Sequence, residues 1–157
     1  YQGPEVKSLD ELTPERVERT FRVNILSMFA IAREAIPHMK PGGTIINVAS
    51  IQAYQPSPSI LDYAATKGAV VTFTKGLALY AAEKGIRVNA VAPGPVWTPL
   101  IPQSFGPEHV SKHGAKSPLG RSAQPAEVAP ALVFLASEES RFVTGEVLGV
   151  TGGGILA

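Results

Sequence analysis

The sequence contains no cysteine, which excludes a disulfide framework, a thiolate nucleophile and a zinc site built on thiolates. Charged residues make up only 17% of the 157 residues, and the formal net charge is +1. Nucleic acids and anionic membrane surfaces attract chains with a basic surplus, so neither partner is expected. No apolar run reaches membrane-spanning length. The absence of cysteine fits a reducing compartment, and we expect the protein in the cytoplasm.

Apolar residues make up 45% of the chain, and their spacing predicts alternating helices and strands. The predicted elements are a helix from Thr13-Pro14 to Pro37, a strand over 44–50, a helix over 62–84, a strand over 86–92, a loop over 93–124, a helix over 125–137 and a strand over 146–150. The first two strands are short and apolar enough to be buried on both faces. This order predicts an α/β fold with a parallel sheet and right-handed crossovers.

Three strands make an incomplete sheet of this type, since doubly wound sheets usually have five or six strands. We therefore expect further strands upstream of Tyr1, where the chain starts with neither Met nor a leader pattern. On this interpretation residues 1–157 are the C-terminal part of a single domain. The proline-rich segment 95–124 is long for a connection in a compact domain and is predicted to be a substrate lid.

Tyr63 and Lys67 are four residues apart near the start of the second predicted helix, so their side chains share a face. A cation beside a phenol favours the phenolate and lowers its pKa, which makes the group usable for proton transfer near neutral pH. The same spacing also occurs in ordinary surface pairs. Ser50 ends the first strand, at the edge where parallel sheets bind ligands, and it either holds a substrate oxygen beside Tyr63 or caps the next turn.

Two more positions have both a functional and a structural interpretation. Asn24 lies among apolar neighbours and needs a partner; it either holds an ordered water near Lys67 or is satisfied by nearby backbone. The segment 93–98 follows the second strand directly, and Gly94 permits close approach of a ligand to the backbone. Backbone amides and the Thr98 hydroxyl there suit a carboxamide, although an ordinary turn into the lid explains the same residues.

Taken together, these residues resemble the short-chain dehydrogenase/reductase family over essentially the whole chain. The matching positions are the tetrad Asn24, Ser50, Tyr63 and Lys67 and the segments Ile45–Ser50, Tyr63–Ala69, Gly85–Gly94, Phe134–Ser137 and Val143–Gly145. The loop 52–56, the segment 97–102 and the ending 149–153 look most like a bacterial branch of aldehyde reductases and general stress proteins.

The resemblance implies a Rossmann-like fold and reversible hydride transfer between NADP(H) or NAD(H) and an alcohol, aldehyde or ketone. It makes Tyr63 the general acid/base and Lys67 the residue that lowers the Tyr63 pKa and binds the nicotinamide ribose. It implies that Ser50 orients the substrate oxygen and that Asn24 supports the proton relay. Implied cofactor contacts are Tyr63, Lys67, Pro93, Gly94, Val96 and Thr98, and implied substrate contacts are Ser50, Gln52 and Tyr63.

The family's glycine-rich dinucleotide turn is missing, because Gly152–Gly154 follows the last predicted strand and opens no helix. The residue that selects NAD or NADP is missing with it, so the dinucleotide-binding half is expected upstream. The alternative is a catalytically inactive, truncated member that acts as a binding or scaffold module. Two weaker alternatives are a metal site at His109 and His113, which has no third ligand, and a Ser-Lys hydrolase, which has no nucleophile motif.

Small residues recur with i+4 spacing along the second predicted helix, at Ala64, Gly68, Thr72 and Gly76. Tyr80 is the next position of the same line. Small residues let another helix approach closely, either within the chain or across a subunit boundary. The family resemblance favours the subunit boundary and implies a homo-oligomer, a dimer within a homotetramer.

Overall fold

The first helix begins as the sequence predicts but is not continuous. Thr13 Oγ1 accepts a hydrogen bond from the Arg16 backbone N–H (3.4 Å), and a proline occupies the first helical position. In the computed structural model, which describes residues 1–156, α1 covers Pro14–Phe21 and α2 covers Ser27–Ala35. The residues between them, Arg22–Leu26, form a π-helical turn, so a bulge surrounds Asn24. The spacing of apolar residues did not predict this bulge.

The remaining elements follow the predicted order closely. They are β1 (Thr44–Val48), α3 (Leu61–Ala82), β2 (Arg87–Pro93), α4 (Leu100–Ser104), α5 (Pro107–Ser111), α6 (Pro125–Ala136) and β3 (Val147–Val150). The three strands are parallel and lie in the order β1-β2-β3, with Thr44 opposite Arg87 and Ala90 opposite Val147. The predicted α/β class and parallel sheet are confirmed.

Helices cover both faces of the sheet. Side chains alternate along a strand, and the even-numbered residues Val88, Ala90 and Ala92 of β2 pack into two apolar clusters with α2, α3 and the π-helical turn. The odd-numbered Arg87 reaches the other face, where its Nη2 donates to the Leu135 carbonyl of α6 (3.0 Å). The sheet therefore has the layered arrangement of a doubly wound fold.

The expectation that both of the first two strands are buried on each face holds for β2 and is wrong for β1. Val88, Ala90, Val91 and Ala92 are fully buried, whereas Val48 is 52% exposed. The difference arises because β1 is an edge strand: within residues 1–156 it pairs with β2 on one side and with no strand on the other. Its apolar sequence is that of a central strand.

The predicted lid contains two short helices, α4 and α5, and its ends are joined. Trp97 N donates to the Ala123 carbonyl (2.8 Å), and Ala123 N donates to the Pro95 carbonyl (2.9 Å). Residues 95–123 thus leave the sheet and return to nearly the same place. No helix in the described part of the chain has the length and apolar character needed to cross a membrane.

Candidate active site

The carboxyl ends of β1 and β2 open onto a cleft of about 1540 Å³. Parallel sheets bind ligands at this edge. The cleft is lined by most of the predicted site residues, namely Ser50, Gln52, Tyr63, Pro93, Gly94, Val96 and Thr98. Neither Asn24 nor Lys67 is among its lining residues. The N-terminal segment, the loop after β1, the predicted lid, α6 and the C-terminal segment supply the rest of the wall.

Ser50 and Tyr63 both line the cleft, and Ser50 lies close enough to the Tyr63 phenol to influence its pKa. Ser50 lies two residues beyond β1 and is 8% exposed, and its Oγ also accepts a hydrogen bond from the Gln52 N–H (3.1 Å). The predicted capping of the next turn and the contact with Tyr63 therefore coexist. Burial raises the pKa of Tyr63, and the hydrogen bond with Ser50 opposes that rise. The phenol keeps its proton at neutral pH and can serve as an acid.

Lys67 lies against Tyr63 but not at its hydroxyl. Its Nζ is 5.3 Å from the centre of the Tyr63 ring and donates a hydrogen bond to the Val48 carbonyl (2.8 Å). Burial lowers the pKa of Lys67 to about 8. Burial of the phenol is the largest influence on the Tyr63 pKa and raises it, and Lys67 is not among the groups that shift it in this structure.

Asn24 uses its side chain to join the N-terminal segment to α3. Its Nδ2 donates to the Tyr1 carbonyl (2.8 Å) and to Thr66 Oγ1 (3.0 Å). Thr66 Oγ1 in turn donates to the carbonyl of Tyr63 (2.7 Å). These contacts satisfy the Asn24 amide, and its part in a proton relay stays a prediction. Its π-helical setting is common at functional sites but carries no assignment by itself.

Gly94 is required by the protein's own backbone. A Cβ atom at this position would lie 2.6 Å from the Thr151 carbonyl oxygen. The strand that follows the lid therefore approaches Gly94 from one side while the cleft adjoins it on the other. Gln52 likewise has a structural contact, since its Oε1 accepts a hydrogen bond from the Ser57 N–H (2.7 Å) and fixes the loop after β1.

A buried ion pair that sequence reasoning missed lies next to Tyr63. The Asp62 side chain is fully buried and receives hydrogen bonds from Arg16 Nε (3.1 Å), Arg16 Nη2 (3.2 Å) and Thr20 Oγ1 (2.8 Å). Burial pulls the Asp62 pKa upward, but these bonds and the Arg16 charge outweigh it, so the pKa lies below its ordinary value. The sequence signal for this pair was an aspartate directly before Tyr63. The sequence did not show its partner, because Arg16 is 46 residues away.

The two lid histidines do not share a helical face. His109 lies in α5, stacks on Phe105 with 4.0 Å between ring centres, and places Nδ1 3.4 Å from Glu5 Oε2. His113 lies beyond the end of α5, and its Nδ1 is 2.7 Å from Ser122 Oγ. Residues 1–156 contain no group of three His, Cys, Asp or Glu side chains arranged to hold a metal ion.

Comparison with known proteins agrees with this arrangement. Residues 2–154 match the sequence model of a family described as enoyl-(acyl carrier protein) reductase. The chain is 53% identical over 153 residues to NADPH-dependent aldehyde reductase 1, chloroplastic, from Arabidopsis thaliana, covering 97% of this chain and 53% of that protein. It is 48% identical over 147 residues to General stress protein 39 from Bacillus subtilis, covering 94% of this chain and 51% of that protein.

Solved structures show the same fold. The crystal structure of 3-ketoacyl-(acyl-carrier-protein) reductase from Brucella melitensis complexed with NADH superposes with a TM-score of 0.87 at 35% identity, over 97% of this chain and 63% of that one. The chain belongs to the short-chain dehydrogenase/reductase family. It spans about half the length of the curated relatives it matches, and its three-stranded sheet is part of the Rossmann-like fold of that family.

Proposed function

We propose that residues 1–157 form the catalytic half of an oxidoreductase that transfers a hydride between NADP(H) or NAD(H) and an alcohol, aldehyde or ketone. The observation that supports this most directly is the placement of Ser50 and Tyr63 in one cleft at the carboxyl edge of a parallel sheet. The family membership supports the reaction class. The names of the relatives include both an NADPH-dependent enzyme and a complex with NADH, so either cofactor is proposed.

The residues of the cleft fit a nicotinamide ring next to a carbonyl group. Pro93, Gly94, Val96 and Thr98 line the cleft and would hold the ring. Lys67 does not line the cleft, and its Nζ would have to leave the Val48 carbonyl to reach the ribose. The cofactor, when bound, supplies or accepts the hydride. During reduction Tyr63 would give its hydroxyl proton to the substrate oxygen while Ser50 donates a hydrogen bond to the same oxygen. Because its pKa lies above neutral pH, Tyr63 holds the proton that it would donate.

We propose that the dinucleotide-binding half of the domain is supplied by residues upstream of Tyr1, with 95–124 as the substrate lid. The unpaired apolar edge of β1 supports this division, because a further parallel strand would pair with it. A working form for experiments is a fusion of residues 1–157 behind the N-terminal half of General stress protein 39, which we call the fusion enzyme. We expect the complete protein in a reducing compartment such as the cytoplasm.

We also propose that the complete protein is a homo-oligomer, a dimer within a homotetramer. On α3, no heavy atom lies within 4 Å of the position that a Cβ would take at Gly68 or Gly76. Leu79 and Tyr80 continue this open face and are 80% and 61% exposed. Ala64 is 3% exposed and therefore belongs to the interior rather than to the predicted stripe.

The test of the reaction is Tyr63→Phe in the fusion enzyme, with Tyr80→Phe as control. Tyr63→Phe removes the proton donor alone, so turnover of an aldehyde is expected to fall about 100-fold or more while the fold survives. Tyr80 is on the same helix but exposed, and its variant should keep full turnover. Turnover within twofold of wild type in Tyr63→Phe would contradict the assignment. A wild-type fusion that binds NADPH without turnover would favour the inactive binding module instead.

A further inference from the structure

Gln2 carries an unsatisfied polar group in the wall of the cleft. Its side chain is only 9% exposed, and its Nε2 is buried without a hydrogen-bond partner among residues 1–156. Gln2 also lines the cleft that contains Ser50 and Tyr63. Buried donors nearly always have an acceptor, because leaving one unpaired destabilises the folded chain. Because Gln2 borders the cleft, a change of its terminal torsion would offer this unpaired donor to an acceptor that enters the cleft.

The backbone that carries Gln2 is held firmly on both sides. Four hydrogen bonds fix the N-terminal segment: Asn24 Nδ2 to the Tyr1 carbonyl (2.8 Å), Arg16 Nη2 to the Pro4 carbonyl (2.8 Å), Glu5 N to the Ser104 carbonyl (2.9 Å) and Val6 N to the Ser59 carbonyl (2.8 Å). Arg16 also holds Asp62, the residue before Tyr63. Arg16 thus binds both the N-terminal segment and the start of α3, and these contacts fix the backbone of Gln2 relative to Tyr63.

The other glutamines of the cleft wall already have partners. Gln52 Oε1 accepts from the Ser57 N–H (2.7 Å), and Gln55 Nε2 donates to the Ile155 carbonyl (2.9 Å). Both contacts are structural and hold the loop after β1 in place. Gln2 differs because neighbouring residues fix its backbone while its side-chain Nε2 has no hydrogen-bond partner among residues 1–156. Because the backbone is fixed, only the side-chain torsions of Gln2 need to change for this donor to reach a ligand oxygen.

We propose that Gln2 is a substrate-binding residue whose carboxamide donates a hydrogen bond to a substrate oxygen other than the reacting one. This assignment rests on the proposed function. The Ser50 and Tyr63 hydroxyls supply two hydrogen bonds to the reacting carbonyl oxygen, which has two lone pairs and needs no third donor. The Gln2 acceptor is therefore a second oxygen. The terminal torsion of glutamine is broad, so a rotation turns Nε2 toward the cleft. The substrate class is a hydroxylated aldehyde or ketone.

The experiment compares D-glyceraldehyde with propanal in the fusion enzyme, since the two aldehydes have the same carbon chain and differ by two hydroxyl groups. In Gln2→Met and Gln2→Glu, which both remove the donor, kcat/KM for glyceraldehyde is expected to fall about tenfold, mostly through KM. The value for propanal should change less than twofold. Gln55→Met is the matched control and should leave the ratio of the two substrates unchanged, because that amide is already paired.

Thermal unfolding of the same variants distinguishes a Gln2 amide that serves a ligand from one that has a partner inside the protein. Gln2→Met should keep or raise the melting temperature, because it replaces an unpaired buried amide by an apolar chain of similar size. A lower melting temperature with equal losses on both aldehydes would mean that the partner of Gln2 is in the protein, and the proposal would be wrong. An unchanged ratio of the two substrates would also overturn it. Absence of turnover in the wild-type fusion would instead contradict the proposed function. Gln2 can then still be tested by measuring the binding of glycerol to wild type and to Gln2→Met with saturation-transfer NMR.

Discussion

The Arg16–Asp62 pair makes a quantitative prediction about stability. Substituting Arg16→Met in the fusion enzyme removes two hydrogen bonds to a carboxylate whose side chain is fully buried, together with one to the Pro4 carbonyl. Breaking a buried pair from one side leaves an uncompensated charge, and the free energy of unfolding should fall by about 3–5 kcal/mol. Adding Asp62→Asn replaces that charge with a neutral amide that Thr20 can still contact, so about 1–3 kcal/mol should return.

Urea unfolding at several pH values measures both effects. In the wild type the Asp62 pKa is below its ordinary value, so its stabilisation is present above the unfolded-state pKa of about 4 and is lost as pH falls further. In Arg16→Met burial acts without opposition and raises that pKa, so the stability deficit should be largest near pH 7 and shrink toward pH 4. A deficit below about 1 kcal/mol at pH 7, or a double variant no more stable than Arg16→Met alone, would refute this account of the pair.

Three further predictions concern Lys67, the assembly and the isolated chain. Burial lowers the pKa of Lys67 to about 8, so between pH 8 and about 10 the unfolded state binds more protons than the folded state. The free energy of unfolding of the wild type should therefore rise with pH in that window by about 2 kcal/mol relative to that of Lys67→Met. Parallel pH profiles of the two proteins would contradict this. Gly68→Leu and Gly76→Leu should lower the mass of the fusion enzyme in light scattering, since leucine would obstruct the open face of α3, and an unchanged mass in both variants argues against that interface. Residues 1–157 expressed alone should self-associate in sedimentation velocity, because the β1 edge is unpaired. They should bind NADPH very weakly, because the glycine-rich turn and helix N-terminus that hold the pyrophosphate are not among them. A discrete, cooperatively melting monomer with tight binding would oppose the proposed division of the domain.

The sequence by itself determined the local elements and the edge of the sheet where the chemistry is proposed. Periodic apolar residues depend only on helix and strand geometry, so α3, α6 and the three parallel strands could be predicted within a few residues. Ser50 was expected near Tyr63 because it ends a strand at the ligand-binding edge and the residues between the two are enough for a loop that brings the hydroxyl back beside the phenol. The structure places both residues in the lining of one cleft.

The tertiary structure alone decided which groups satisfy one another. Arg16 reaches Asp62 across 46 residues, and Asn24 reaches Thr66 across 42, distances along the chain that no short-range pattern encodes. The π-helical turn at Asn24 changes hydrogen bonding without changing composition. The pKa of Tyr63 is raised rather than lowered, because desolvation depends on everything packed around the ring. The unpaired amide of Gln2 is likewise visible only once every neighbouring donor and acceptor has found its partner.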